Sequence, residues 1–110
     1  MVGNRVILKG NPASPGLAEG KAVVILDPTE QGKIIDKGIL VAPFITPLLL
    51  PVLIKSAGIV TDKGGVMCHA AIIAREFGIP CVTGTEEATK KIENGAEVIV
   101  DGTKGYIYQK

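Results

Sequence analysis

Aliphatic residues come mostly in short unbroken runs rather than in strict alternation with polar ones. Gly20–Leu26 (with KAVVIL), Gly38–Ala42 (GILVA), Gly58–Thr61 (GIVT), Pro80–Thr83 (PCVT) and Ala96–Val100 (AEVIV) are such runs, bounded by Gly, Pro or Asp. Runs of this length and β-branched content predict buried strands. Val6-Ile7-Leu8, within the first nine residues, predicts a short edge strand. The stretch between, Gly10–Gly20 (GNPASPGLAEG), is dense in Gly, Pro and Ser and reads as a turn or loop inside the domain. Thr29–Lys37 (TEQGKIIDK) has weak periodicity and reads as loop or irregular chain.

Helical signals separate the later runs. Thr46-Pro47 offers a threonine N-cap and a proline at the first helical position, predicting a helix to about Ser56 with Pro51 in its first turn. Ala70, Ala71, Ile72, Ile73, Ala74 and Phe77 give a second helix an apolar face, closed by Gly78 and blocked by Pro80. Thr85 or Glu86 caps a third, holding Ala88, Lys90 and Lys91 and ending at Asn94-Gly95. Asp101-Gly102-Thr103-Lys104 reads as the turn of a terminal hairpin whose second strand is Gly105–Tyr108. Together these give one α/β domain over residues 1–110, a mixed-sheet sandwich with about three helices and a C-terminal hairpin. The pattern does not give the strand order.

Composition narrows the function. With only Phe44, Phe77, Tyr106 and Tyr108 as aromatics, the core must be built from Ile, Val, Leu and Ala. A net charge of +1 without basic clusters or an aromatic platform argues against nucleic acid as a partner. Gly38–Val60 is strongly apolar, but Pro43, Pro47 and Pro51 break it before it could span a bilayer, so no membrane role is expected. Cys68 and Cys81, with neither a CxxC nor a second histidine, do not form a zinc set, and no metal is expected. Free thiols and no recognisable signal peptide point to the cytoplasm. There is no P-loop, and no acidic cluster to hold magnesium.

What chemistry the chain has is concentrated in Thr61–Pro80 (TDKGGVMCHAAIIAREFGIP). Gly64 and Gly65 permit a sharp turn that exposes backbone amides. His69, the single histidine, stands where the next helix begins, and the preceding GIVT strand puts it in the crevice at the carboxyl end of a strand. Helix N-terminal amides and the macrodipole favour anions, phosphate included. From the residues alone, His69 is equally a helix-start residue with a satisfied ring.

The segment GGVMCHAAIIAREFGIPCVTGT resembles the phosphohistidine signature of the phosphoenolpyruvate (PEP)-utilising enzymes, in the branch of phosphoenolpyruvate synthase. Pyruvate phosphate dikinase and enzyme I of the phosphotransferase system share it. ASPG at Ala13–Gly16 with Gly20, GILVA followed by Thr46-Pro47, and NGAEVIVDGTKGYIY extend the resemblance over nearly the whole chain. It implies a swivelling β/β/α domain in which His69 carries a phosphoryl group between two active sites. It also implies Gly64, Gly65, Met67 and Cys68 as the phosphate-binding turn, with Thr61 and Arg75 as further candidates. Arg75 lies six residues past the histidine, so a surface or interdomain ion pair is its competing role. Cys68, where serine is commoner, either donates weakly to phosphate or fills a gap at the helix start. Met67 replaces the usual threonine, losing a hydroxyl that some relatives phosphorylate for regulation.

No cofactor is then expected on this domain. ATP, PEP and magnesium belong to partners: an ATP-grasp nucleotide-binding protein or domain, and a TIM-barrel protein or domain that binds PEP or pyruvate. The expectation is a stand-alone carrier, a phosphotransferase component that cannot complete a reaction alone. A non-catalytic regulatory or interaction module with the same fold is one alternative, and a fragment of a longer synthase is another.

Overall fold

The computed structural model describes residues 5–27, 29–30 and 36–110. In chain order it contains β1 (Arg5–Lys9), β2 (Asn11–Ser14), β3 (Leu17–Val24) and β4 (Ile39–Ala42). A 3₁₀ turn (Pro47–Leu49) runs into α1 (Leu50–Leu53), followed by β5 (Gly58–Thr61), α2 (His69–Phe77), β6 (Cys81–Thr83), α3 (Ala88–Lys91), β7 (Glu97–Asp101) and β8 (Tyr106–Gln109). Hydrogen bonds link the strands in the order β1-β8-β7-β3-β4-β5-β6-β2. The pairs β3–β4, β4–β5 and β5–β6 are parallel, and the remaining pairs are antiparallel.

The unbroken aliphatic runs are explained by burial on both faces. Ile39, Leu40, Val41 and Ala42 of β4 are all 0% exposed. Leu40 and Ala42 join Ile59, Cys81, Val52, Leu53 and the alanines of α2 in one apolar cluster. Ile39 and Val41 point the other way, into a second cluster with Val60, Val82, Val98, Val100 and Ile107. The period of two along each strand thus feeds two cores, and the layers stack as sheet, sheet and helices. This is the expected mixed α/β sandwich of β/β/α type.

Three expectations need correcting. Gly10–Gly20 is not a loop: it holds β2 and the start of β3, and only Pro15-Gly16 remains as a turn. Pro12 is compatible with a strand because β2 is the last strand in the order, pairing only with β6. The helix from Pro47 stops at Leu53 rather than near Ser56. Pro51 has no N–H to give the Pro47 carbonyl, which Leu50 N–H takes in the tighter 3₁₀ manner. Ser56 Oγ then donates back to Val52 O at 2.9 Å, closing the turn. α3 likewise ends at Lys91, short of Asn94-Gly95, and Thr85 Oγ1 accepts from Ala88 N–H at 3.2 Å to open it. The irregular stretch expected at Thr29–Lys37 falls mostly outside the described residues.

The two ends of the strand order, β1 and β2, are separated in the chain by Gly10 alone, so the sheet folds back onto itself there. Gly10 N–H donates to Gly105 O at 2.8 Å, and Gly102 N–H to Gly16 O at 2.8 Å, tying the β7–β8 turn across the seam. A Cβ on Gly102 would lie 1.8 Å from Ser14 O, so no other residue fits. The described ends of the chain meet at the other end of the β1–β8 pair, with Arg5 opposite Gln109. No helix among the described residues is long and apolar enough to cross a membrane.

Candidate functional site

α2 is positioned by small side chains. Ala70, Ala71 and Ala74 are buried against the sheet, where their size allows close approach, while Ile72, Arg75, Glu76 and Phe77 are exposed. Gly78 ends the helix in the left-handed conformation (φ 68°), and Ile79 N–H returns to Ala74 O at 2.9 Å. At the other end Cys68 is the N-cap in extended conformation, and its side chain makes no capping bond. Ile72 N–H, bonded to Cys68 O at 3.0 Å, is the first helical amide with a partner. Among the described residues the N–H groups of His69, Ala70 and Ala71 have no acceptor.

His69 opens α2 and is exposed, and no described side chain hydrogen-bonds to its ring. It borders a hollow of about 170 Å³ lined by Phe44, Ile45, Lys63, Gly64, Cys68 and Ala70. Gly64 adopts φ 115°, and a Cβ there would lie 2.9 Å from Cys68 Sγ, so the turn requires glycine. Around Gly65 there is open space, with no atom within 4 Å of a built Cβ. Met67 is 74% exposed and Val66 46% exposed beside it.

The loop is held from below. Thr61 is completely buried, and its hydroxyl donates to Lys63 O at 2.7 Å, so it shapes the turn rather than lining the hollow. The Asp62 carboxylate accepts from Thr89 N–H at 2.9 Å and from the Thr89 hydroxyl. Arg75 donates to Ala13 O at 2.7 Å and to Val66 O at 2.8 Å, and it makes no ion pair among the described residues. Asn11 Nδ2 donates to Gly64 O at 3.1 Å and Thr83 Oγ1 to Gly65 O at 3.0 Å. Asn11, Thr83, Lys63 and Phe44 were not singled out from sequence. For Lys63 the signal was its place next to the glycine pair. Asn11 gave none, because it lies in a stretch that reads as a turn.

Cys68 packs against the helix-side core, partly buried. Cys81 lies inside that core, and burial pushes its thiol up to about 12. Its role is packing.

An exposed imidazole, a glycine turn and a run of unpaired amides together suit a tetrahedral anion bonded to the ring. The chain is similar to known proteins over most of its length. Residues 34–105 match the family description "PEP-utilising enzyme, mobile domain". Phosphoenolpyruvate synthase of Pyrococcus furiosus is 52% identical over 104 residues, which cover 94% of this chain and 13% of that protein. Rifampicin phosphotransferase of Streptomyces sviceus is 48% identical over 101 residues, covering 91% of this chain and 11% of that protein. The chain thus spans about an eighth of the length of such relatives. Among solved structures, an enzyme I protein determined by NMR superposes with a TM-score of 0.61 at 31% identity, over 71% of this chain and 32% of that one. A chain of Thermococcus kodakaraensis aconitase X superposes with a TM-score of 0.68 at 22% identity, over 94% of this chain and 97% of that one, a likeness of fold.

Proposed function

The chain belongs to the mobile-domain family of the PEP-utilising enzymes, and from that premise we propose that it is a phosphoryl carrier with His69 as its nucleophile. The observation that supports this reading best is the exposed imidazole, without a hydrogen-bond partner among the described residues, at the uncapped start of α2. A neutral ring nitrogen attacks the donor's phosphorus. The P–O bond to the leaving group breaks with its electron pair, an N–P bond forms, and the ring's N–H proton passes to solvent. The reverse displacement hands the group to an acceptor oxygen. Such transfers depend on positioning and charge stabilisation, which the amides at Gly64–Met67 and the start of α2 can supply.

The donor and acceptor sites belong, in this reading, to partners. An ATP-grasp protein or domain would bind ATP and magnesium, and a TIM-barrel protein or domain would bind PEP or pyruvate. The small share of each synthase relative that this chain spans supports the division. A cytoplasmic setting accords with two free thiols.

The test is labelling. PEP with the barrel portion of a PEP synthase, or ATP with the nucleotide-binding portion, is expected to add one acid-labile, base-stable phosphoryl group per chain. His69→Ala is expected to abolish it. A His69→Ala chain that labels as well as the parent would sink the proposal.

A further inference from the structure

Three consecutive carbonyl groups before His69 are each held by a side chain from a different element. Asn11 of β2 bonds Gly64 O, Thr83 of β6 bonds Gly65 O, and Arg75 of α2 bonds Val66 O. Asn11 and Thr83 face each other in the β2–β6 pair, and the Arg75 nitrogen on Val66 O also bonds Ala13 O of β2. All three carbonyls are therefore drawn toward the β2–β6 edge. A trans peptide is planar, with its N–H antiparallel to its C=O. The next amides in line, those of Gly65, Val66 and Met67, must then point away from that edge. Among the described residues none of the three has an acceptor. Cys68 N–H, which closes the turn onto Gly65 O at 3.4 Å, separates them from the unpaired amides of His69, Ala70 and Ala71 at the start of α2.

We propose that Asn11, Thr83 and Arg75 are positioning residues for the phosphorylated histidine. By holding the carbonyls back, they present successive amides to the phosphoryl oxygens as an anion-binding concavity. The inference rests on the carrier reading of His69 and deepens it. Arg75 acts on the phosphate through the Val66–Met67 peptide, without touching it. Thr83 is completely buried and Asn11 half-buried, so both are fixed before any anion arrives, and no reorganisation is needed on transfer.

The full chain, labelled with ¹⁵N, can be phosphorylated by phosphoramidate without any partner. The ring nitrogen takes the phosphoryl group, the reagent's P–N bond breaks, and ammonia leaves. The amide resonances of Gly65, Val66 and Met67 are expected to move downfield more than those elsewhere in the chain. Thr83→Val, which leaves Gly65 O with only the Cys68 N–H, is expected to weaken the Val66 shift and to speed phosphoryl loss by up to about tenfold, and Thr83→Ser to restore both. Asn11→Ala, at a half-buried position, should do the same to Gly65 and keeps the test alive if Thr83→Val does not fold. If phosphohistidine forms but these amides stay put, or both variants keep the parent's shifts and lifetime, this proposal falls and the carrier reading stands. If the parent chain forms no phosphohistidine, both fall.

Discussion

Cys81 lies in β6, whose next strand neighbour β5 leads into the histidine loop, and its ionisation ties stability to alkaline pH. Burial raises the thiol from 9.0 to about 12. Between those values an unfolded chain has released the proton that the native chain retains, so stability is full below pH 9 and falls as pH rises toward 12. Cys81→Ala should cost about 1–2 kcal/mol at neutral pH through the lost packing, yet show a shallower decline across that window. Urea midpoints of both chains, measured from pH 7 upward, check this; parallel curves would contradict it. At this scale the sequence disclosed what is local. His69, Gly64 and Gly65 declare themselves by type and spacing within six residues. Asn11 meets Gly64 across a separation of 53 residues and Thr83 meets Gly65 across 18, so no local pattern announces either partnership. Arg75 was visible as a charge, but its bonds to the Ala13 and Val66 carbonyls depend on where β2 passes.

Elements were legible where their signals were complete. α2 carries a glycine C-cap, an alanine face and a following proline, and it spans the residues those signals mark. The helix at Thr46-Pro47 carries only its opening signals, and the structure shortens it. Thr46 sits in extended conformation ahead of the 3₁₀ turn, yet its hydroxyl makes no capping bond and is buried without a partner among the described residues. An N-cap threonine is ordinarily worth about 1 kcal/mol. Here Thr46→Val should cost nothing measurable, or stabilise slightly, because it removes an unsatisfied polar group. Chemical denaturation decides, and a loss near 1 kcal/mol would show that the hydroxyl finds a partner in solution. β2 was missed for the opposite reason. Its Gly-, Pro- and Ser-rich surroundings imitate a turn, and only pairing with β6 makes the segment a strand.

The strand order was beyond reach of the sequence because its decisive pairings are remote: β3 with β7, β2 with β6, β1 with β8. The closure that results is sterically exacting. Gly102→Ala would drive a methyl group into Ser14 O across the seam, and a loss of roughly 3 kcal/mol or more is expected. Thermal melting would show this as a much lower midpoint, whereas an unchanged midpoint would mean that the β7–β8 turn can lift away from β2. The pairing of Arg5 with Gln109 has a different consequence. Because the first and last described strands lie side by side, a short linker closing the chain between Arg5 and Gln109 has little distance to span. Such a circular chain should fold as the linear one does and melt at a higher temperature, since ring closure restricts only the unfolded ensemble. The same adjacency means that a longer polypeptide can lead into and out of this body through one narrow gap. It would then be tethered like a pendant on a doubled cord, free to turn as a whole while the packing around His69 stays rigid.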